Sequence, residues 1–385
     1  MPGQQRWVTG STRGHRVSEL MERMGTPPVR TGALGRGEPG KQADRVASVN
    51  VETSREKLPP PRGPLSAWML DFLTGTRAGL PTSAGPAGSA DELGDEDLHV
   101  ALYLCYELHY RGLPGVADSL EWDLELLSFR AGLERRFERA LHEAVRPGPV
   151  DAGDVPGTLR RMAREGAPRS LSRYIEREAT IEQVEEFMIL RSAYHLKEAD
   201  PHSFAIPRLS GRAKAALVEI QADEYGGGRE PRMHATLFAD SMRALGLDAS
   251  YGAYIRVVPG VALAIVNMMS MFGLHRRLRG ALVGQLALFE LTSTLPNRRY
   301  GNGLRRLGLD RPEATRFFDE HVEADAVHEA IAANDLAGSL VDDEPALAAD
   351  VVLGARAQQL LDQRCSEYLI QQWSRGRSGL LRAEG

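Results

Sequence analysis

From Leu65 to Ser374 the chain is helix-forming sequence with few interruptions: Leu, Ala, Glu and Arg abound, alternating Val/Ile/Thr runs are scarce, and Pro or Gly stands at the joins. Such a chain buries its apolar residues by packing helix on helix, so the expected fold class is all-α. The periodicity predicts helices near 66–73, 92–110 and 118–145, then 158–164, 170–177 and 181–199. A last group is expected at 213–225, 232–246, 253–273, 276–294, 312–333 and 345–374, with no repeat of fixed period.

Residues 1–62 are rich in Gly, Pro, Arg, Thr and Ser and carry five more basic than acidic residues, the composition of a disordered tail or partner-binding arm. With a net charge of −5 over 385 residues, the remainder is close to −10, so no basic domain points to nucleic acid. Cys105 and Cys365 are the only cysteines, too few and too far apart for a disulfide framework or a thiolate metal site, and they suggest a reducing cytoplasm. The longest apolar stretch, 257–271, contains Pro259 and Asn267 and is shorter than the roughly 20 residues of a membrane-spanning helix. No apolar core of a secretory signal follows the N-terminus, so a cytoplasmic location is expected.

The densest chemistry lies on one expected helix, started by Asp310, Pro312 and Glu313 in a capping pattern. His321, Asp325 and His328 stand four and three residues apart, and at about 100° per residue they share one helical face, where two imidazoles and a carboxylate can converge on a metal. A second pair, Glu224 and His234, is ten residues apart and would diverge by about 80° on a straight helix. Gly226, Gly227 and Gly228 lie between them and are expected to break the backbone, which would let the pair meet. Glu219, Asp223 and Glu230 are rival carboxylates there.

Glu290 lies among Leu288, Phe289 and Leu291, a setting too apolar for a carboxylate that is not paired, protonated or metal-bound. Glu198 ends the run FMILRSAYHLKEAD, where His195 and His202 compete for the same role. Four carboxylates and three imidazoles suit non-haem iron or manganese and exceed what one open site needs, so two ions are expected. Ferritin-like sites use an E-x-x-H motif on two helices, and this ligand set has none.

The ordered set formed by LKEADPH, ALVEIQADEYG, ALFELTSTLPNRRYGNGLRRLG and FFDEHVEADAVH resembles the haem-oxygenase-like diiron oxidases, the iron-containing redox enzyme branch of that fold. The resemblance covers about residues 180–370 and implies a haem-oxygenase-like seven-helix bundle, here with additional N-terminal helices. It divides the chain into a tail over 1–62, an N-terminal helical extension over 63–177, the diiron domain over 178–375 and a flexible tail over 376–385. By that family pattern Glu198, His234 and His328 hold one iron, Glu290, His321 and Asp325 the other, and Glu224 bridges. The implied cofactors are two Fe (Fe2+/Fe3+), with O2 as co-substrate and an external electron donor.

The implied reaction is N-oxygenation, desaturation or oxidative C–C cleavage of an amino-acid-like or fatty-acid-like substrate. The expected partners are that small molecule, a ferredoxin-like or other reductant, and a second copy of the chain in a homodimer. Arg298, Arg299 and Tyr300, with Asn297, follow the expected helix of Glu290 and offer guanidinium groups to a substrate carboxylate. A surface loop with solvated arginines explains them equally well. The competing reading of the whole chain is a non-catalytic helical interaction protein with a degenerate or structural metal site.

Overall fold

The computed structural model describes residues 58–81, 90–146, 148–165 and 169–382, the side chains of 325–327 excepted. All belong to one compact unit, Ser48–Gly385, and among them no strand occurs. The helices are α1 (Pro64–Leu73), α2 (Glu96–Glu107), α3 (Leu124–Val145), α4 (Val155–Arg164), α5 (Leu171–Arg177), α6 (Ile181–His195) and α7 (Asp200–Ser203). After them come α8 (Gly211–Glu224), α9 (His234–Ala244), α10 (Gly260–Leu274), α11 (Arg279–Arg306), α12 (Pro312–Ala330), α13 (Ser339–Asp343) and α14 (Ala348–Ser374). A π-helical stretch, Ile331–Gly338, joins α12 to α13.

The architecture is the all-α bundle expected, with α11 at its centre, packed on α12, α14 and α5. The approach of α11 to α14 is set by two glycines. A Cβ on Gly284 would fall 1.8 Å from the Val351 carbonyl oxygen, and one on Gly354 equally close to that of Ala281. Helices on both sides of residue 178 share one apolar core, in which Val100, Phe137, Phe238, Met268, Leu286 and Leu361 are all buried.

Several expected boundaries move, each for a physical reason. The tail expected over 1–62 lies outside the described residues as far as 57, but Leu58 is buried and Arg62 is ion-paired with Glu96 at 2.8 Å. The C-terminal tail is pinned as far as 382, because Gly379 N–H donates to Glu186 and Leu381 N–H to the Val257 carbonyl. Residues 383–385 lie outside the description.

The helix of Glu290 does not end near 294. It runs through Pro296 to Arg306. An interior proline leaves a carbonyl without its N–H partner, and here the hydroxyls of Thr292 and Ser293 bond back to Leu288 and Glu290 carbonyls, tightening the preceding turn. α12 begins at Pro312 as expected, though the Arg311 carbonyl caps it, receiving Ala314 and Thr315 N–H, while Asp310 turns to Arg305 at 3.3 Å.

The glycine break forms as the sequence requires. α8 stops at Glu224, and Gly226, Gly227 and Gly228 all take positive φ, at 63°, 61° and 76°. A Cβ on Gly226 would lie 2.5 Å from the Arg232 carbonyl carbon, whereas one on Gly227 meets nothing. Replacing Gly227 by Ala should therefore cost only the left-handed penalty, roughly 1–2 kcal/mol, and Gly226→Ala distinctly more. Urea denaturation of the two variants checks this, and equal losses would contradict the close approach.

Candidate metal centre

Each candidate ligand is delivered by a helix end or a buried helix face. Thr180 starts α6 with a reciprocal capping box to Gln183, and the turn after its C-terminus at His195 presents Glu198. Glu224 is the last residue of α8 and His234 the first of α9, brought together by the glycine break. α11 supplies Glu290 from its buried face, and α12 supplies His321 and His328. Seven residues separate the two histidines, about 10.5 Å along the axis, so they serve opposite ends of the site.

Two groups of ligand atoms result, each with all its members within 4.8 Å of one another: Glu198, Glu224, His234 and His321 in one, Glu224, Glu290 and His328 in the other. Glu224 belongs to both. His234 Nδ1 lies 3.0 Å from Glu224 Oε2 without the alignment of a hydrogen bond, and the His234 and His321 rings are 4.3 Å apart. Glu198 Oε2, Glu224 Oε2, His234 Nδ1 and His328 Nδ1 are buried and have no hydrogen-bond partner. Unsatisfied buried carboxylate and imidazole atoms that converge are what divalent metal ions require, and nitrogen-plus-oxygen donor sets suit iron. The residues fit that group.

Neighbours fix the orientation of these ligands, as outer partners of metal-binding histidines do. His321 Nδ1 is bonded to the Phe317 carbonyl at 2.7 Å, which turns Nε2 toward Glu198 Oε1, 3.8 Å away. His328 Nε2 meets Asp223 at 3.1 Å, and its Nδ1 faces Glu290 at 3.4 Å. His195 Nδ1 meets Glu198 Oε1 at 2.7 Å.

Burial opposes the charge of Glu198, but His195 and His321 outweigh it and hold the carboxyl well below its ordinary range. Glu290 goes the other way, raised by burial and by the charge of Glu224. Burial also disfavours His328 as a cation, yet Glu290 and Asp223 lift it to about 9. Tyr194 is pushed well up by burial and by the field of Glu198, Glu224 and Glu290.

His195 and His321 also border a cavity of about 80 Å³, walled by Phe187, Phe238, Phe289 and Phe318. Its polar end holds Tyr300, Gln358 and the ion pair of Arg191 with Asp362, 3.1 Å apart. Five residues, Thr292, Pro296, Tyr300, Gln358 and Asp362, line both this cavity and an outer groove of about 930 Å³, so the two adjoin at that neck.

Six of the seven expected ligands are thus brought together. The side chain of the seventh, Asp325, lies outside the described residues. The two groups divide the side chains differently from the family pattern: His321 groups with Glu198 and His234, and His328 with Glu290, because Glu198 sits beside the α12 turn nearer the N-terminus. Of the rivals, Glu219 and Glu230 are exposed, Asp223 orients His328, and His202 is bonded to Gln285.

Of the residues expected to bind substrate, Tyr300 lines the cavity and Arg299 the outer groove that adjoins it. Arg298 is exposed and Arg299 turns to Ser170, Ser172 and Glu176, because the continuing helix α11 points both away from the cavity that Tyr300 lines. The cationic residue at the cavity is Arg191, unremarked in the sequence. Its signal was a lone arginine in the apolar run FMILRSAYH, one helical turn before His195.

Residues 185–363 match the family model described as iron-containing redox enzyme. Within the chain, 149 residues are 28% identical to nitrosourea synthase of Streptomyces achromogenes subsp. streptozoticus, covering 38% of this chain and 31% of that relative. The chain thus spans about a third of the length of the curated relative it matches.

The elevated proton affinity of His328 has a measurable consequence in metal-free protein. Its folded value of about 9 exceeds the ordinary 6.5, so its stabilisation is complete below about pH 6.5 and is lost as pH rises through about 9. The melting temperature of metal-free protein should fall across that window, and His328→Gln should flatten the fall. Parallel curves for the two proteins would refute the assignment.

Proposed function

We propose, from the match of residues 185–363 to the model of the iron-containing redox enzyme family, that the chain is a non-haem diiron oxidase or oxygenase acting on a small molecule. The observation that carries the reading is Glu224, one half-buried carboxylate common to two convergent ligand groups, as a bridge between two ions requires. We assign Glu198, His234 and His321 to one iron and Glu290 and His328 to the other. Asp325, on the same helix between the two histidines in sequence, joins the second. When bound, two ferrous ions supply the electron pair that reduction of O2 needs, and a ferredoxin-like or other reductant restores them.

The protein's own groups do the rest. Arg191 stays charged despite burial because Asp362 lies beside it, and it offers its remaining N–H donors to an anionic group of the substrate. The four phenyl rings exclude water and direct the other end of that molecule toward His195 and His321. His195 shares a proton with Glu198 Oε1 and can hold it there while the carboxylate changes its mode of binding. The likeness to a protein named nitrosourea synthase favours oxidation at a nitrogen over desaturation or C–C cleavage, since a nitrosourea contains an N–N=O group.

Anaerobic titration with Fe(II) should reach about two ions per chain, and admission of O2 should oxidise them. His321→Ala and His328→Ala should each remove one ion and abolish metal-dependent O2 consumption, with helix content by circular dichroism nearly unchanged. Full uptake and turnover in either variant would refute the assignment. Arg191→Leu should leave iron uptake intact and raise KM at least about tenfold, the worth of one charge-assisted hydrogen bond. An unchanged KM would remove Arg191 from substrate binding.

A further inference from the structure

Beside the ligand Glu198 lies a second buried polar network that the proposed reaction does not use. Lys197 is almost completely buried, 1% exposed, and its Nζ is bonded to Glu107 of α2, 90 residues earlier. The ammonium lies over the rings of Tyr110 and Tyr103, at 4.0 and 5.2 Å from their centroids. Glu107 is buried too, and its other oxygen accepts the Tyr251 hydroxyl at 2.5 Å. Taking such a pair out of water costs several kcal/mol per ion before the mutual attraction is counted, so apolar packing alone does not account for it.

The network grips the turn that carries Glu198. Arg111 donates to the Leu196 carbonyl at 3.2 Å, and Gln221 of α8 donates to the Ala199 carbonyl at 2.9 Å. Between them Ala199 has φ of +72°, a left-handed conformation that a residue with a Cβ adopts only when its surroundings hold it there. The backbone N–H of Glu198 itself makes only a long bond of 3.4 Å, to the His195 carbonyl, so the turn around it depends on these outer contacts. Glu107 and Arg111 lie on or just after α2, before the segment that matches the family.

We propose that Lys197 and Glu107 are positioning residues for Glu198, through which the helices before residue 178 complete one half of the metal centre. The inference rests on the two-iron reading above. It requires that loosening the network weaken the group of Glu198, His234 and His321 and spare that of Glu290 and His328.

The test is a Co(II) titration of the full chain followed by visible absorption, in wild type and in the double variant Glu107→Gln/Lys197→Met, which leaves no lone buried charge. Wild type should take two ions. The double variant should bind one ion as wild type does and the other at least tenfold more weakly, with its helix content retained. Two ions bound with wild-type affinity would overturn the proposal. So would equal weakening of both sites accompanied by a fall in melting temperature, since that is general destabilisation. Should the double variant fail to fold, Ala199→Gly frees the strained turn without touching a charge. It should weaken the same single site, and unaltered binding would overturn the proposal. A wild-type chain that takes up no Co(II) would sink the two-metal reading itself, and this inference with it.

Discussion

Three carboxylates and three imidazoles converge inside an apolar helical core, and the cost of removing them from water is the constraint that the surrounding structure answers. Part of the answer is mutual: Glu198 leans on His195, and His328 is held between Asp223 and Glu290. The rest is left open, since one oxygen each of Glu198 and Glu224 and one nitrogen each of His234 and His328 point inward without a partner. A core that satisfies its outer polar atoms and leaves its innermost ones without hydrogen bonds offers the donor set that cations require.

That organisation depends on how helices are started, stopped and brought close. The glycine break between α8 and α9 turns a ten-residue separation into a 3.0 Å approach. Persistence of α11 through Pro296 carries Tyr300 to the cavity and sends Arg298 and Arg299 outward. The glycine crossing of α11 and α14 lets α14 bring Gln358 and Asp362 to that same cavity.

What could be read from the sequence followed from local periodicity. His321 and His328 share a face of one helix whatever packs against it, and the apolar neighbours of Glu290 required that carboxylate to be compensated. Three glycines in a row could only be a break. What escaped were relations between distant segments. The division of these side chains into two groups depends on which turn of α12 lies beside Glu198, and no spacing encodes that. Arg191 looked like an ordinary helical arginine until Asp362, 171 residues later, came to meet it. The passage of α11 through Pro296 escaped too, since a proline after a helical run reads equally well as a join.

The π-helical stretch that follows α12 bears on ancestry. From Ile331 to Gly338 the backbone bonds run i to i+5, widening the helix directly after His328. Such a widening is how a helix absorbs one inserted residue: the wider turn takes it up and the helix on both sides keeps its phase, whereas an insertion into a regular α-helix turns everything beyond it by about 100°. Here the stretch itself packs Ala332 and Leu336 into the core and lies against α8, the helix that delivers Glu224. Relatives lacking one residue in this stretch should carry the same histidine-bearing helix continued as a regular α-helix, with the helix on both sides of it in the same phase.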